Sequence, residues 1–149
     1  MRQALSILAA FVLVAGFASS SKASTPAVEV HLSQVESSND VFYMRGPISL
    51  RFALTVTNPT NETLTLRRID LQSLGPGAYS IRTGSTPMKE VIHPNGATSI
   101  VLSAWGQARG GRLRANEPVT IRGIAQFVDD HGHSFNRIFT ETLGQFGGI

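Results

Sequence analysis

The clearest pattern in the chain is an alternation of apolar and polar residues over residues 48–58. The apolar positions are Ile48, Leu50, Phe52, Leu54 and Val56, which share one face of an extended chain. This alternation predicts an antiparallel β-strand with one buried face. Burying each of these side chains is worth about 1.5 to 3 kcal/mol, whereas ordering each backbone residue costs about 1 to 2 kcal/mol. The strand therefore needs a second sheet to cover its apolar face.

Shorter extended runs recur along the chain and are separated by turn residues. They cover residues 28–32, 64–71, 79–81, 91–92, 98–105, 118–128 and 135–143. No helical periodicity is found outside the N-terminal segment. We therefore predict an all-β domain at residues 24–143, an immunoglobulin-like antiparallel β-sandwich of about seven strands, followed by a flexible tail at residues 144–149.

Several local features refine this prediction. The turn after the long strand, at residues 58–63, has the composition of a hairpin tip. The apolar parity changes on either side of Arg67 and Arg68, which predicts a β-bulge there. Gly123 and Ala125, within the run 118–128, are small enough to let the facing sheet approach closely. Residues 129–132 form a second predicted hairpin turn.

The N-terminal 23 residues have the parts of a secretory signal peptide. Arg2 precedes an apolar run at residues 4–18, and small residues follow as far as Ala23. Cleavage is expected after Ala18, Ser20 or Ala23, and the alternative is an uncleaved membrane anchor. The chain has no cysteine, so disulfides and lipid attachment at a cysteine are excluded. We expect a periplasmic or secreted protein without a stable membrane span after cleavage.

The formal net charge of +3 overstates the basic character of the mature domain. Removal of Arg2 and Lys22 with the signal peptide leaves 11 basic residues against 10 acidic ones, a net charge of about +1. A domain this close to neutral is not drawn to nucleic acid by its overall charge, and export makes intracellular nucleic acid an unsuitable partner.

The strongest binding signal is a basic, glycine-rich loop at residues 106–116. Arg109, Arg112 and Arg114 can clamp phosphate, carboxylate or an acidic sugar, because guanidinium groups bind such anions through paired hydrogen bonds. No aromatic residue lies among the arginines, so base stacking has no platform. The alternative is a plain surface loop.

A second set of candidates concerns metal ions. Asp129, Asp130, His131 and His133 supply two carboxylates and two imidazoles that can bind Zn²⁺ or Cu²⁺, with His31 or His93 as a distant further ligand. Side chains around a tight turn point in different directions, so a solvated hairpin tip is the competing interpretation.

The remaining signals argue against catalysis. The sequence has no cysteine, no Gly-x-Ser-x-Gly and no His-Glu-x-x-His, so we predict a non-enzymatic protein without a cofactor. The lone tryptophan, Trp105, is predicted to be a core residue, with carbohydrate stacking or partner binding as the alternative.

The order of these features resembles that of the LEA14-like or water-stress (WHy) domains. The resemblance rests on an alternating strand that runs into Asn58-Pro59-Thr60, on the basic run LTLRRIDL, on a Pro-Asn-Gly turn before TSIVL, and on a last hairpin closed by DDHG. It covers roughly residues 28–143, and it implies a non-catalytic immunoglobulin-like sandwich with a role in stress protection or at membrane surfaces. Together these observations predict an exported accessory module that binds a protein or an anionic cell-envelope polymer by surface contact, with periplasmic metal binding as the alternative.

Overall fold

The computed structural model describes residues 25–36, 45–75, 77–109 and 117–143. The predicted signal peptide and the predicted flexible tail lie outside these residues. The described strands are β1 (Glu29–Glu36), β2 (Gly46–Asn58), β3 (Leu64–Leu74), β4 (Tyr79–Ile81), β5 (Gly84–Ile92), β6 (Gly96–Ala108), β7 (Val119–Val128) and β8 (Ser134–Leu143).

The strands form two four-stranded sheets in which every pairing is antiparallel. One sheet has the order β1-β2-β6-β4, and the other has the order β5-β3-β7-β8. We call them the first and second sheets. The fold is an immunoglobulin-like β-sandwich, and the predicted fold class is confirmed.

The core lies between the inner faces of the two sheets. All five apolar positions of the long predicted strand are at most 5% exposed. They belong to the same core cluster as the inner face of β7, where Val119, Ile121, Gly123, Ala125 and Phe127 are all buried, as the alternation predicts. Burial of these two facing stripes supplies the main driving force for the fold.

The eight described strands agree with the prediction of about seven, but only residues 91–92 of β5 were predicted, because β5 carries no alternating pattern. Along β5 only the last residue, Ile92, is buried, and Met88 is partly buried. The strand lies at the edge of the second sheet, where pairing with β3 through backbone hydrogen bonds holds it. An edge strand exposed on both faces leaves no period-two signal in the sequence.

The interpretation of residues 58–63 as a hairpin tip is wrong. The strands on either side of this turn, β2 and β3, belong to different sheets, so the turn crosses between the layers of the sandwich. Asn58 is fully buried there. Its side-chain amide donates hydrogen bonds to the carbonyls of Glu62 and His93, and its oxygen accepts one from the backbone N–H of Thr60.

The predicted bulge at Arg67 and Arg68 is confirmed. The register of β3 with both of its neighbours shifts between Leu66 and Arg68, and both arginines are exposed. The prediction that Gly123 lets the facing sheet approach closely is wrong. The space above Gly123 is filled by the ring of Phe139, its cross-strand partner on β8 in the same sheet, and not by the facing sheet.

Candidate functional site

The arginine loop begins where β6 ends. Arg109 follows the last residue of β6 and is exposed, and its backbone N–H donates a hydrogen bond to the carbonyl of Ala78 at 3.3 Å. Since Ala78 directly precedes β4, the loop leaves the sandwich at the β4 edge of the first sheet. Arg112 and Arg114 lie outside the described residues.

Trp105 is not a core residue, contrary to the prediction. It is 71% exposed and lies on the outer face of the first sheet, opposite Ser49 on β2. The sequence contained the signal for this placement, because Trp105 has the opposite parity to Leu102, whose side chain is buried. Its position at a strand end, and not its parity, led to the wrong prediction.

Arg82 lies beside Trp105. The β4–β6 pairing ends at Ile81 and Gly106, so the next residue on each strand is Arg82 and Trp105, respectively. Both residues line an open depression of about 290 Å³ and a second one next to it. We call this part of the protein the Trp105–Arg82 surface.

Arg82 and Arg109 form no ion pair with another described residue. The ion pairs among the described residues are His31–Glu141, Arg68–Asp70, His131–Asp130 and His133–Asp129. Neither Arg82 nor Arg109 takes part in them, and the outward-facing positions of β2 and β6 carry no Asp or Glu. The Trp105–Arg82 surface and the start of the arginine loop therefore carry two arginines without a described ion-pair partner beside the exposed ring of Trp105, and the exposed Glu117 lies on the other side of Ala78 from Arg109.

The predicted metal ligands lie at the opposite end of β7, in the hairpin between β7 and β8. Asp129 has a structural role in this turn. Its Oδ1 accepts hydrogen bonds from the backbone N–H groups of His131 at 3.0 Å and His133 at 2.7 Å, and its Oδ2 lies 3.1 Å from Nδ1 of His133. Desolvation acts to raise the pKa of Asp129, but the hydrogen bonds and charge of His133 and the N–H of His131 outweigh it and lower the pKa.

The structure brings a residue from another turn to this hairpin. Donor atoms of Glu62, Asp130 and His131 lie within 4.8 Å of one another, and Nδ1 of His131 is 2.6 Å from Oδ1 of Asp130. Glu62 belongs to the crossover between β2 and β3, so no local spacing in the sequence connects it to Asp130. Two carboxylates and one imidazole are a plausible donor set for a divalent transition metal.

The other predicted ligands are engaged differently. The ring of His133 stacks on that of His131, with centroids 6.1 Å apart, and its Nδ1 is paired with Asp129. His31 lies 3.0 Å from Glu141 on β8, and neither it nor His93 belongs to the group of three. An open concavity of about 760 Å³, lined by Glu62, Asp129 and His133 among others, adjoins the group.

The order of the strands in the two sheets is that of an immunoglobulin-like β-sandwich protein. No family model and no curated protein matches the sequence. Among solved structures, the ApaA protein from Bordetella pertussis is similar over 82% of this chain and 94% of its own, with a TM-score of 0.52 and 13% identity. The structural genomics target SoR45 is similar over 82% of this chain and 88% of its own, with a TM-score of 0.51 and 15% identity. At these identities the likeness shows the fold alone.

Within the described ranges, no helix has the length and apolar character needed to cross a bilayer.

Proposed function

We propose that this chain is a non-enzymatic, exported accessory module that binds a protein or an anionic cell-envelope polymer by surface contact. The arginine loop with Arg109, Arg112 and Arg114 is the proposed contact, and the periplasm or the cell exterior is the proposed location. The export part rests on the signal-peptide pattern of residues 1–23. The resemblance to LEA14-like and WHy domains agrees with a non-catalytic role.

One observation carries the proposal. Arg109 and Arg82 lie at the same end of the first sheet and form no ion pair with a described residue. Surface arginines without an acidic partner keep their full capacity for charge-assisted hydrogen bonds to carboxylate, sulfate or phosphate. Arg112 and Arg114 follow Arg109 within five residues in the sequence and bring two further positive charges to the loop.

The test compares two triple variants of equal charge. Arg109, Arg112 and Arg114 are changed to alanine in one protein, and Arg67, Arg68 and Arg122, which are exposed on the second sheet, are changed in the other. Retention on polyphosphate, alginate and polyglutamate columns is measured as a function of salt. We expect the loop variant to elute at lower salt and to lose more than about tenfold in affinity, because each lost contact reduces the attraction that salt screens.

The control variant should lose much less, because its arginines lie on the other sheet. An equal loss in both proteins would show that net charge alone determines binding, and the loop would not be the contact surface. If neither the original protein nor either variant is retained on any of the three columns, anionic-polymer binding is wrong.

A second candidate function is periplasmic transition-metal binding. The convergence of Glu62, Asp130 and His131 from two separate turns favours it. The assay is the melting temperature with EDTA, Zn²⁺ or Cu²⁺, because a ligand at 100 times its Kd stabilises the native state by about 2.7 kcal/mol. A rise lost in Glu62→Gln and His131→Ala but kept in His133→Ala would support this site.

Two other results would contradict a metal site at Glu62, Asp130 and His131. A rise that Glu62→Gln leaves intact would exclude the group of three and return attention to Asp129 and His133. The absence of any rise would exclude metal binding at this hairpin.

A further inference from the structure

We infer that the Trp105–Arg82 surface is a binding site for an acidic polysaccharide, in which a sugar ring stacks on Trp105 while the carboxylate or sulfate groups of the chain bind Arg82 and Arg109. This inference rests on the proposed function and deepens it, because it names the class of polymer and adds a site that the arginine loop alone does not provide.

The first argument is the environment of the indole. Trp105 is 71% exposed, and its outward-facing neighbours are Ser49 across the strand pair, Ser103 and Gln107 along β6, Arg82 in the continued β4–β6 register, and Pro47, which lines the same depression. With most of its surface exposed, the indole is not covered by these side chains. An open aromatic surface surrounded by hydroxyl and amide groups suits a ligand that has an apolar face and many hydroxyls, which is the chemistry of a pyranose ring.

The second argument is charge complementarity. Arg82 lies next to Trp105 across the continued β4–β6 register. Arg109 follows Trp105 by four residues, which is a distance of about 13 Å along an extended strand. Arg51 on β2 lies opposite the acidic Glu36 in the β1–β2 register. Arg82 and Arg109 have no ion-pair partner among the described residues, and their spacing matches a repeating anionic polymer better than a single small anion.

A protein partner is the competing occupant, and the surface fits it less well. Protein interfaces are centred on several apolar or aromatic residues in a buried patch. Among the described residues, Trp105 is the single large aromatic residue on the outer face of the first sheet, and Val101, the next exposed apolar residue on β6, lies four positions away with Ser103 between them. An isolated ring flanked by arginine and hydroxyls favours the sugar chain.

The chain offers a direct probe, because Trp105 is its single tryptophan. Alginate, a polyuronate, is titrated into the protein while tryptophan fluorescence and its quenching by acrylamide are recorded. Dextran serves as the neutral polysaccharide and polyglutamate as the anionic polymer without sugar rings. We expect alginate alone to shift the emission to shorter wavelength and to protect the indole from acrylamide.

Affinities of variants are measured by calorimetry. Trp105→Ala should weaken alginate binding by about tenfold or more, and Trp105→Phe, which keeps an aromatic ring, should weaken it by less. Arg82→Gln should weaken binding and reduce its salt dependence, whereas Arg67→Gln, a matched exposed arginine on the second sheet, should leave both unchanged. Unchanged melting temperatures in the Trp105 variants would show that the ring serves binding and not folding.

Three results would overturn the inference, and they are distinct from a failure of the proposed function. Binding of polyglutamate as tight as that of alginate would show that sugar rings are not recognised. Alginate binding that Trp105→Ala leaves intact, while the triple change of Arg109, Arg112 and Arg114 abolishes it, would keep the proposed contact loop and exclude the stacking site. If only an acidic protein binds and shifts the emission, the occupant is a protein. Absence of binding to every anionic polymer would remove the anionic-polymer function itself.

Discussion

The side chain of Asn58 joins two of the crossovers between the sheets, the one from β2 to β3 and the one from β5 to β6, and its replacement by alanine should separate them. Its amide group donates to the carbonyls of Glu62 at 2.8 Å, His93 at 3.2 Å and Ile92 at 3.4 Å. Its oxygen accepts from the backbone N–H of Thr60 at 3.1 Å and from the Thr60 hydroxyl at 2.7 Å. Asn58 is fully buried, so water does not replace these partners in the native state.

The magnitude follows from the groups that alanine leaves unpaired. Each hydrogen bond contributes about 0.5 to 1.5 kcal/mol net, and a buried group left without a partner costs about 1 to 3 kcal/mol. The contact at 3.4 Å is long and contributes little. Alanine removes the two shorter hydrogen bonds that Asn58 donates and the two that it accepts from Thr60. We therefore expect Asn58→Ala to lower the free energy of unfolding by about 2 to 4 kcal/mol. This corresponds to a fall in melting temperature of about 8 to 16 °C for a domain of this size.

The assay is urea unfolding followed by circular dichroism, with two companion variants. Asn61→Ala removes a neighbouring exposed residue that makes one hydrogen bond, to Asn95, and should cost less than about 0.5 kcal/mol. Asn58→Asp keeps the oxygen that faces Thr60 but turns a carboxylate oxygen toward three carbonyls, so at neutral pH it should destabilise at least as much as alanine. A loss for Asn58→Ala no larger than that for Asn61→Ala would refute the reasoning.

Three further predictions concern other parts of the sandwich. Gly123→Ala places a methyl group against the ring of Phe139 and should lower the free energy of unfolding by about 1 to 3 kcal/mol. The additional change Phe139→Leu should recover part of that loss, and a double-mutant cycle in urea measures the recovery. Tyr79→Phe removes the hydroxyl that donates to Oε1 of Gln34 at 2.7 Å and should cost about 0.5 to 1.5 kcal/mol by the same assay. Asp129→Asn should lower the melting temperature at pH 7. The difference from the original protein should narrow as the pH falls below about 4, because a carboxyl group with a lowered pKa stabilises the fold only while it is ionised. A difference that stays constant from pH 7 to pH 3 would show that the charge of Asp129 does not support the hairpin.

The local patterns of the chain were sufficient for the elements with one buried face. The alternation in β2 and β7 identified every apolar inward-facing position of these two strands, and the parity change near Arg67 identified the bulge. The turn at residues 129–132 was recognised because aspartate and glycine have strong backbone preferences there, and Gly132 has a φ of 83°. In each case a few consecutive residues contain all that the prediction needs.

The candidate sites show the limit of such patterns. Glu62 reaches Asp130 and His131 because two separate turns meet at one end of the sandwich, and the spacing of 68 positions in the chain gives no sign of it. Likewise, Arg82 becomes the neighbour of Trp105 through the register of β4 with β6.

The sequence by itself determined which apolar residues of β2 and β7 face the core, because the period-two alternation of a strand is a local property of the backbone. The tertiary structure decided which strands share a sheet. Asn58 and the residues after it have the same turn chemistry whether they close a hairpin or cross between layers, and only the pairing of β2 with β1 and β6 settles that choice. The tertiary structure also decided which side chains meet at the surface, since those contacts depend on pairings between strands that are far apart in the chain.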